Sequence, residues 1–101
     1  MIFIDIDGTL IDENDDFQPH VKQFIVDNKD ESFFFWSGGG YQYARTWLER
    51  FEHANALPLS LAMFGAKDNR LIAPGDVVID DLAESFTLNP GVTVIHPDAL
   101  R

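Results

Sequence analysis

The chain has 101 residues, 46% of them hydrophobic, with 7 Gly, 5 Pro and no Cys. That length supports one domain, spanning 1–101, with one modest core and no separate substrate-closing lobe. Without Cys there is no disulfide framework, no thiolate metal site and no thiol nucleophile, and a reducing, cytoplasmic setting is expected. Seventeen acidic against seven basic side chains leave a formal charge of −10, which repels polyphosphate and disfavours long nucleic acid as a partner. No run of 18 apolar residues is present, so no membrane span is expected, and Met1 to Ile6 lacks the basic start of a signal peptide.

In chain order, Ile2 to Ile6 is an almost continuous apolar run broken by Gly8, the pattern of a strand buried on both faces of a parallel sheet. An acidic loop follows, with Asp12, Glu13, Asp15 and Asp16 around Asn14. Its Asp12-x-Asn14-x-Asp16 spacing resembles the start of a calcium loop, but Phe17 occupies the place where that loop needs Gly. Pro19 suits a first helical turn, and Val21, Phe24, Ile25 and Asn28 share one helical face. Ser32 to Trp36 reads as a second strand, ended by Ser37 and three glycines. Tyr41, Ala44, Leu48 and Phe51 predict the best-defined helix, with Trp47 beside the stripe. Leu59 to Phe64 is a third expected strand, Val77 to Ile79 a fourth and Val92 to Ile95 a fifth. The connections over 65–76 and 81–91 hold only a turn or two of helix, close to the minimum for a parallel crossover. The expected class is α/β with a parallel sheet of about five strands.

The chemistry-bearing residues fall where these strands end. Asp5 and Asp7 close the first strand, Ser37 the second, Lys67 follows the third and Asp80-Asp81 close the fourth. Parallel strands bring their carboxyl ends to one edge, where open α/β sheets place ligands. Residues i and i+2 of a strand point the same way, so Asp5 and Asp7 are expected on one face. Two carboxylates ~4 Å apart repel by roughly 4 kcal/mol at an effective dielectric near 20. Protons or a cation must offset that cost, and an all-oxygen cluster suits Mg²⁺. Ser37 with the amides of Gly38 and Gly39, opening a helix, forms an anion pocket. A cation, an anion pocket and an ionised carboxylate in one cleft describe phosphoryl transfer through an acyl phosphate.

Ile2 to Leu10, with its Asp5-Ile6-Asp7-Gly8-Thr9 core, closely resembles the first motif of the haloacid dehalogenase superfamily. Ser37, Lys67 and Asp80-Asp81 resemble its second, third and fourth motifs. The resemblance implies a Mg²⁺-dependent phosphomonoester hydrolase on a three-layer, Rossmann-like fold of strand order 5-4-1-2-3. It implies Asp5 as the nucleophile that forms an aspartyl-phosphate. Asp7 would be the proton donor and then the base, its backbone carbonyl also reaching the metal. Thr9, Ser37, Gly38 and Gly39 would hold phosphate oxygens and Lys67 would balance charge. Asp80 and Asp81 would hold the metal, with Asp81 the more direct ligand. Asp7 argues against the dehalogenating members, which lack that second acid. The chain also departs from larger relatives, because no cap domain fits after Thr9 or between the second helix and the third strand. The open site then takes a phosphorylated small molecule, a nucleotide or a macromolecule's end, and a neighbouring subunit of a homo-oligomer is one way to cover it. Two other readings use the same scaffold: a phospho-accepting signalling domain and a non-catalytic binding module. In the signalling class the acceptor Asp follows the third strand, where this chain has Lys67.

His20, His53 and His96 fall away from the expected strand ends, and Arg45 faces away from the apolar stripe. Asp76 is expected to begin the fourth strand, with a supporting role near the metal as the alternative. Phe33 to Trp36 and Trp47 are expected in the core, and Asp68 and Asn69 at the cap of a short helix.

Overall fold

The computed structural model describes residues 1–86 and 89–101; residues 87 and 88, inside the fourth connection, lie outside the described residues. Five strands, β1 (Ile2–Asp5), β2 (Phe33–Ser37), β3 (Met63–Ala66), β4 (Val77–Ile79) and β5 (Thr93–Ile95), form one sheet. Every neighbouring pair is parallel. The order is β3-β2-β1-β4-β5, which counted from the other edge is 5-4-1-2-3. β1 is therefore central, with β2 and β4 on either side, and the carboxyl ends of all three meet at one edge.

The apolar runs are explained by what each sheet face meets. Ile4, Phe33, Phe35 and Ile79 point to the face covered by two helices, α1 (Pro19–Asp27) and α2 (Tyr41–Asn55). Val21 and Ile25 of α1 and Trp47, Leu48 and Phe51 of α2 complete that core. Phe17, just before α1, sets its ring edge-on to Trp47 and Phe51 at 5.7 and 5.4 Å. Such pairs add about 0.5–1.5 kcal/mol beyond their buried area.

The opposite face carries Phe3, Trp36 and Val78, covered by Phe86 and by partly buried Phe34, Ile72, Val92 and Val94. Phe3 lies 4.5 Å from Trp36, which in turn stacks on Phe86. The expected three layers are therefore not met: both α-helices lie on one face, and among the described residues the other face carries the 3₁₀ turn Ala83–Phe86 and Ile72, just after the Asn69–Leu71 turn, with no α-helix, because the two short connections hold no more. Connections of that length reach across the sheet only if most of their residues are extended.

The third strand lies later than its apolar run suggested, at 63–66 rather than 59–64. Glu52 Oε2 accepts the Leu59 amide at 2.7 Å and the Leu59 carbonyl accepts the Ala62 amide at 3.0 Å. Residues 59–62 thus close a turn, and Leu59 is buried as a plug under α2 rather than as a strand residue. β2 and β3 are extended by one further bond, from the Lys67 amide to the Ser37 carbonyl, at 2.9 Å. That bond fixes Lys67 at the site edge.

Candidate active site

Asp5 ends the central strand and is nearly buried, and Asp80, one residue past β4, is fully buried. One carboxylate oxygen each from Asp5, Asp80 and Asp81 lie within 4.8 Å of one another. Lys67 Nζ approaches Asp80 Oδ2 at 2.6 Å and Asp5 Oδ1 at 3.7 Å. The ammonium meets Asp80 Oδ2 off the hydrogen-bond direction, so this oxygen has an ion-pair partner but no aligned donor. Asp80 Oδ1 accepts the Leu82 amide at 2.8 Å. Thr9 links the two chain segments: its hydroxyl donates to Asp5 Oδ2 at 3.2 Å and accepts the Asp81 amide at 3.0 Å.

One ammonium faces three carboxylates, and the titration behaviour follows. Burial, then the charge of Asp80, push Asp5 up to about 8, against the pull of Lys67; Asp81 adds to the rise through a carboxyl-to-carboxyl contact. Asp80 is also raised, by burial first, despite its Lys67 and Leu82 partners. Burial works against the Lys67 charge, yet the contacts with Asp80 and Asp5 hold its pKa above the ordinary value. Two carboxyls meeting with no donor group between them need a shared proton or a cation. The donor set is all carboxylate oxygen, without His or Cys, and this fits a hard divalent ion such as Mg²⁺.

Gly8 shapes the same place. Its φ is +80°, and a Cβ there would clash with Asp81 Oδ2. Gly8→Ala combines left-handed backbone cost with displacement of the Asp81 carboxylate, so we expect roughly 1–2 kcal/mol of destabilisation and loss of any divalent-ion response. Denaturant unfolding and ion titration of the variant check both.

The predicted residues divide as follows. Asp5, Thr9, Lys67, Asp80 and Asp81 converge. Ser37 is buried at the end of the neighbouring strand, its Oγ accepting the Gly39 amide at 2.9 Å. Gly38 and Gly39 precede α2, whose N-cap, Gly40, carries no capping side chain. Asp7 lies two residues past the end of β1, is exposed, and is not one of the three clustered carboxylates. Its Oδ1 accepts the Tyr43 hydroxyl at 2.6 Å, and that bond, then burial, raises the phenol's pKa.

Tyr43 and Gln18 also reach the site, without a motif that marks them. Gln18 Nε2 donates to the carbonyls of Gly8 and Thr9 at 3.0 and 2.9 Å, pinning the turn after β1. The legible signal for Tyr43 was its place in the first turn of α2, whose start lies at the site edge. The calcium-like segment binds itself: Asp12 Oδ1 accepts the amides of Asn14 and Asp16. It folds as a small flap held by the Ile11–Phe17 bridge, and no cap domain interrupts the described connections before or after α2. Asp76 is at the amino end of β4, paired with the Met1 ammonium at 3.2 Å, away from the site edge. Arg45 pairs with Glu49, and Asp68 caps the Asn69–Leu71 turn.

Two grooves flank the Asp7–Tyr43 pair. One, about 410 Å³, is lined by Asp7, Gly8, Asp12, Glu13, Asp15 and Gln18. The other, about 490 Å³, runs along α2 past Gly39, Gln42, Tyr43, Thr46 and Arg50. Among the described residues no helix is long and apolar enough to cross a membrane. Comparison with family models, with curated proteins and with solved structures finds no match in any of the three.

Proposed function

We propose that the chain is a Mg²⁺-dependent phosphomonoesterase that works through an aspartyl-phosphate on Asp5, a minimal haloacid dehalogenase-like domain of Rossmann-like type. One observation carries this reading: Asp5, Asp80 and Asp81 gather with Lys67 at the carboxyl edge of a parallel sheet, around the motif Asp5-Ile6-Asp7-Gly8-Thr9. Asp81 and Asp5 would hold the ion directly, with the Asp7 carbonyl, while Asp80 fixes Lys67. Bound there, Mg²⁺ would cancel the repulsion among the acids and keep Asp5 ionised at neutral pH.

The chain's own groups then divide the work. Asp5 attacks phosphorus, and the bond from phosphorus to the leaving oxygen breaks. Asp7 supplies the proton that oxygen needs, and later takes one from the water that hydrolyses the acyl phosphate. The Ser37 hydroxyl and the Gly38 amide hold phosphoryl oxygens and Lys67 offsets their charge, while Thr9, donating to Asp5, and the Gly39 amide, donating to Ser37 Oγ, shape the pocket around them. An open site of this kind takes a phosphorylated small molecule, a nucleotide or the end of a macromolecule, with water excluded by the substrate itself or by a second copy of the chain.

The test is phosphate release from aryl phosphate, nucleotides, sugar phosphates, phosphopeptides and 3′-phosphorylated oligonucleotides, with Mg²⁺ and with a chelator. Turnover that disappears on chelation is expected. No turnover on any of them overturns the reading, and a long-lived phosphoryl group on Asp5 without turnover assigns the fold to phospho-accepting signalling instead.

A further inference from the structure

Asp7 lies past the end of β1, exposed, and the Tyr43 hydroxyl at 2.6 Å is the side-chain donor that meets its carboxylate. An exposed aspartate one turn beyond a strand ordinarily samples several rotamers. A single bond to Oδ1 restricts those torsions and leaves Oδ2 free. The donor is well suited to that task, because Tyr has a rigid ring with few torsions and is rooted in the first turn of α2. The ring's path has been cleared as well: a Cβ on Gly39 would lie 3.1 Å from Tyr43 Cδ2 and 3.2 Å from Cγ. The glycine therefore seats the tyrosine in addition to lining the anion pocket.

We propose that Tyr43 is the positioning residue for proton transfer, holding Asp7 through Oδ1 so that Oδ2 carries the proton delivered to the leaving oxygen. This rests on the phosphatase reading above. As Asp5 bonds to phosphorus and the leaving oxygen departs, the Oδ2 proton passes to that oxygen and Asp7 becomes a carboxylate. The Tyr43 bond to Oδ1 keeps the carboxyl in one orientation through that transfer, so no rotamer has to be selected at the moment of reaction. On acyl-phosphate hydrolysis, Asp7 takes a proton from water and the cycle closes.

The inference predicts a dependence on the leaving group. An alkyl alkoxide needs the proton and a dinitrophenolate does not. In Tyr43→Phe, kcat/KM for an alkyl phosphate is expected to fall by about 10- to 100-fold, the range of one charge-assisted hydrogen bond. For 2,4-dinitrophenyl phosphate it should stay within about twofold. KM should hold for both esters, and Tyr43→Phe should add no further loss in an Asp7→Asn background. Equal losses on both esters, or no loss on the alkyl ester, overturn the positioning role while the enzyme remains a phosphatase. A wild-type protein that hydrolyses neither ester with Mg²⁺ overturns the phosphatase reading and this role with it.

Discussion

Asp5→Asn should abolish hydrolysis and, in the absence of divalent ions, make the protein more stable. The first effect rests on the proposed role of Asp5 as nucleophile and is expected to cost at least about a thousandfold in kcat/KM, or roughly 4 kcal/mol of barrier. The second follows from the cluster. Asp5 has a folded-state pKa of about 8 against an ordinary 3.8, so between those values the folded state binds a proton that the unfolded chain has released. Stability from this group is therefore lost as pH rises through that window, and the deficit is complete above pH 8. Asparagine keeps an acceptor for Thr9 and carries no charge. The advantage of Asp5→Asn over wild type should thus be small near pH 4 and grow to a few kcal/mol by pH 8, about 4–8 °C in Tm per kcal/mol for a domain of this size. Thermal melts of both proteins in chelator across pH 4–8 check it. Equal melting at every pH would show that Asp5 is not strained by its neighbours.

Removing the opposite charge should do the reverse. Lys67→Met leaves Asp80 fully buried without the ammonium that lies 2.6 Å from Oδ2. Taking one partner from a buried pair typically costs about 3–5 kcal/mol, because the remaining charge is uncompensated. The raised pKa of Asp80 gives the sign with pH. Losing the ammonium should raise it further, so acid protonates Asp80 and relieves the penalty, while alkaline pH exposes it in full. Denaturant unfolding at pH 5 and pH 8 should show the larger loss at pH 8, and Lys67→Met combined with Asp80→Asn should recover much of it. Turnover should fall in both variants. A loss below 1 kcal/mol at pH 8 would mean that solvent, not Lys67, satisfies Asp80.

The strands, helices and site differ in how plainly the sequence announces them. β1 and β4 are short apolar runs with acids at their ends, and buried parallel strands leave few other ways to place such residues. α2 has a clean apolar stripe because one face meets the sheet and the other meets water. β3 was misplaced because Leu59 and Leu61 look like strand residues, whereas Glu52, seven positions earlier in the chain, captures the Leu59 amide in a turn. Hydrophobic pattern alone cannot register a side chain arriving from a helix. Convergence of Asp5, Lys67, Asp80 and Asp81 was legible because parallel topology alone enforces it. The Tyr43–Asp7 bond depends on the orientation of α2 and had no comparable signature.

A divalent ion held by the acids that end β1 and follow β4 is what the proposed chemistry requires. Its most direct test is the melting temperature at pH 8 as MgCl₂ is added, at ionic strength held constant with NaCl so that screening does not contribute. Wild type should rise with the logarithm of the ion concentration once that exceeds the dissociation constant, gaining about 2.7 kcal/mol at a hundred times that constant, and Asp81→Asn should not respond. A wild-type protein whose melting is indifferent to Mg²⁺, or a variant that gains as much as wild type, would contradict it.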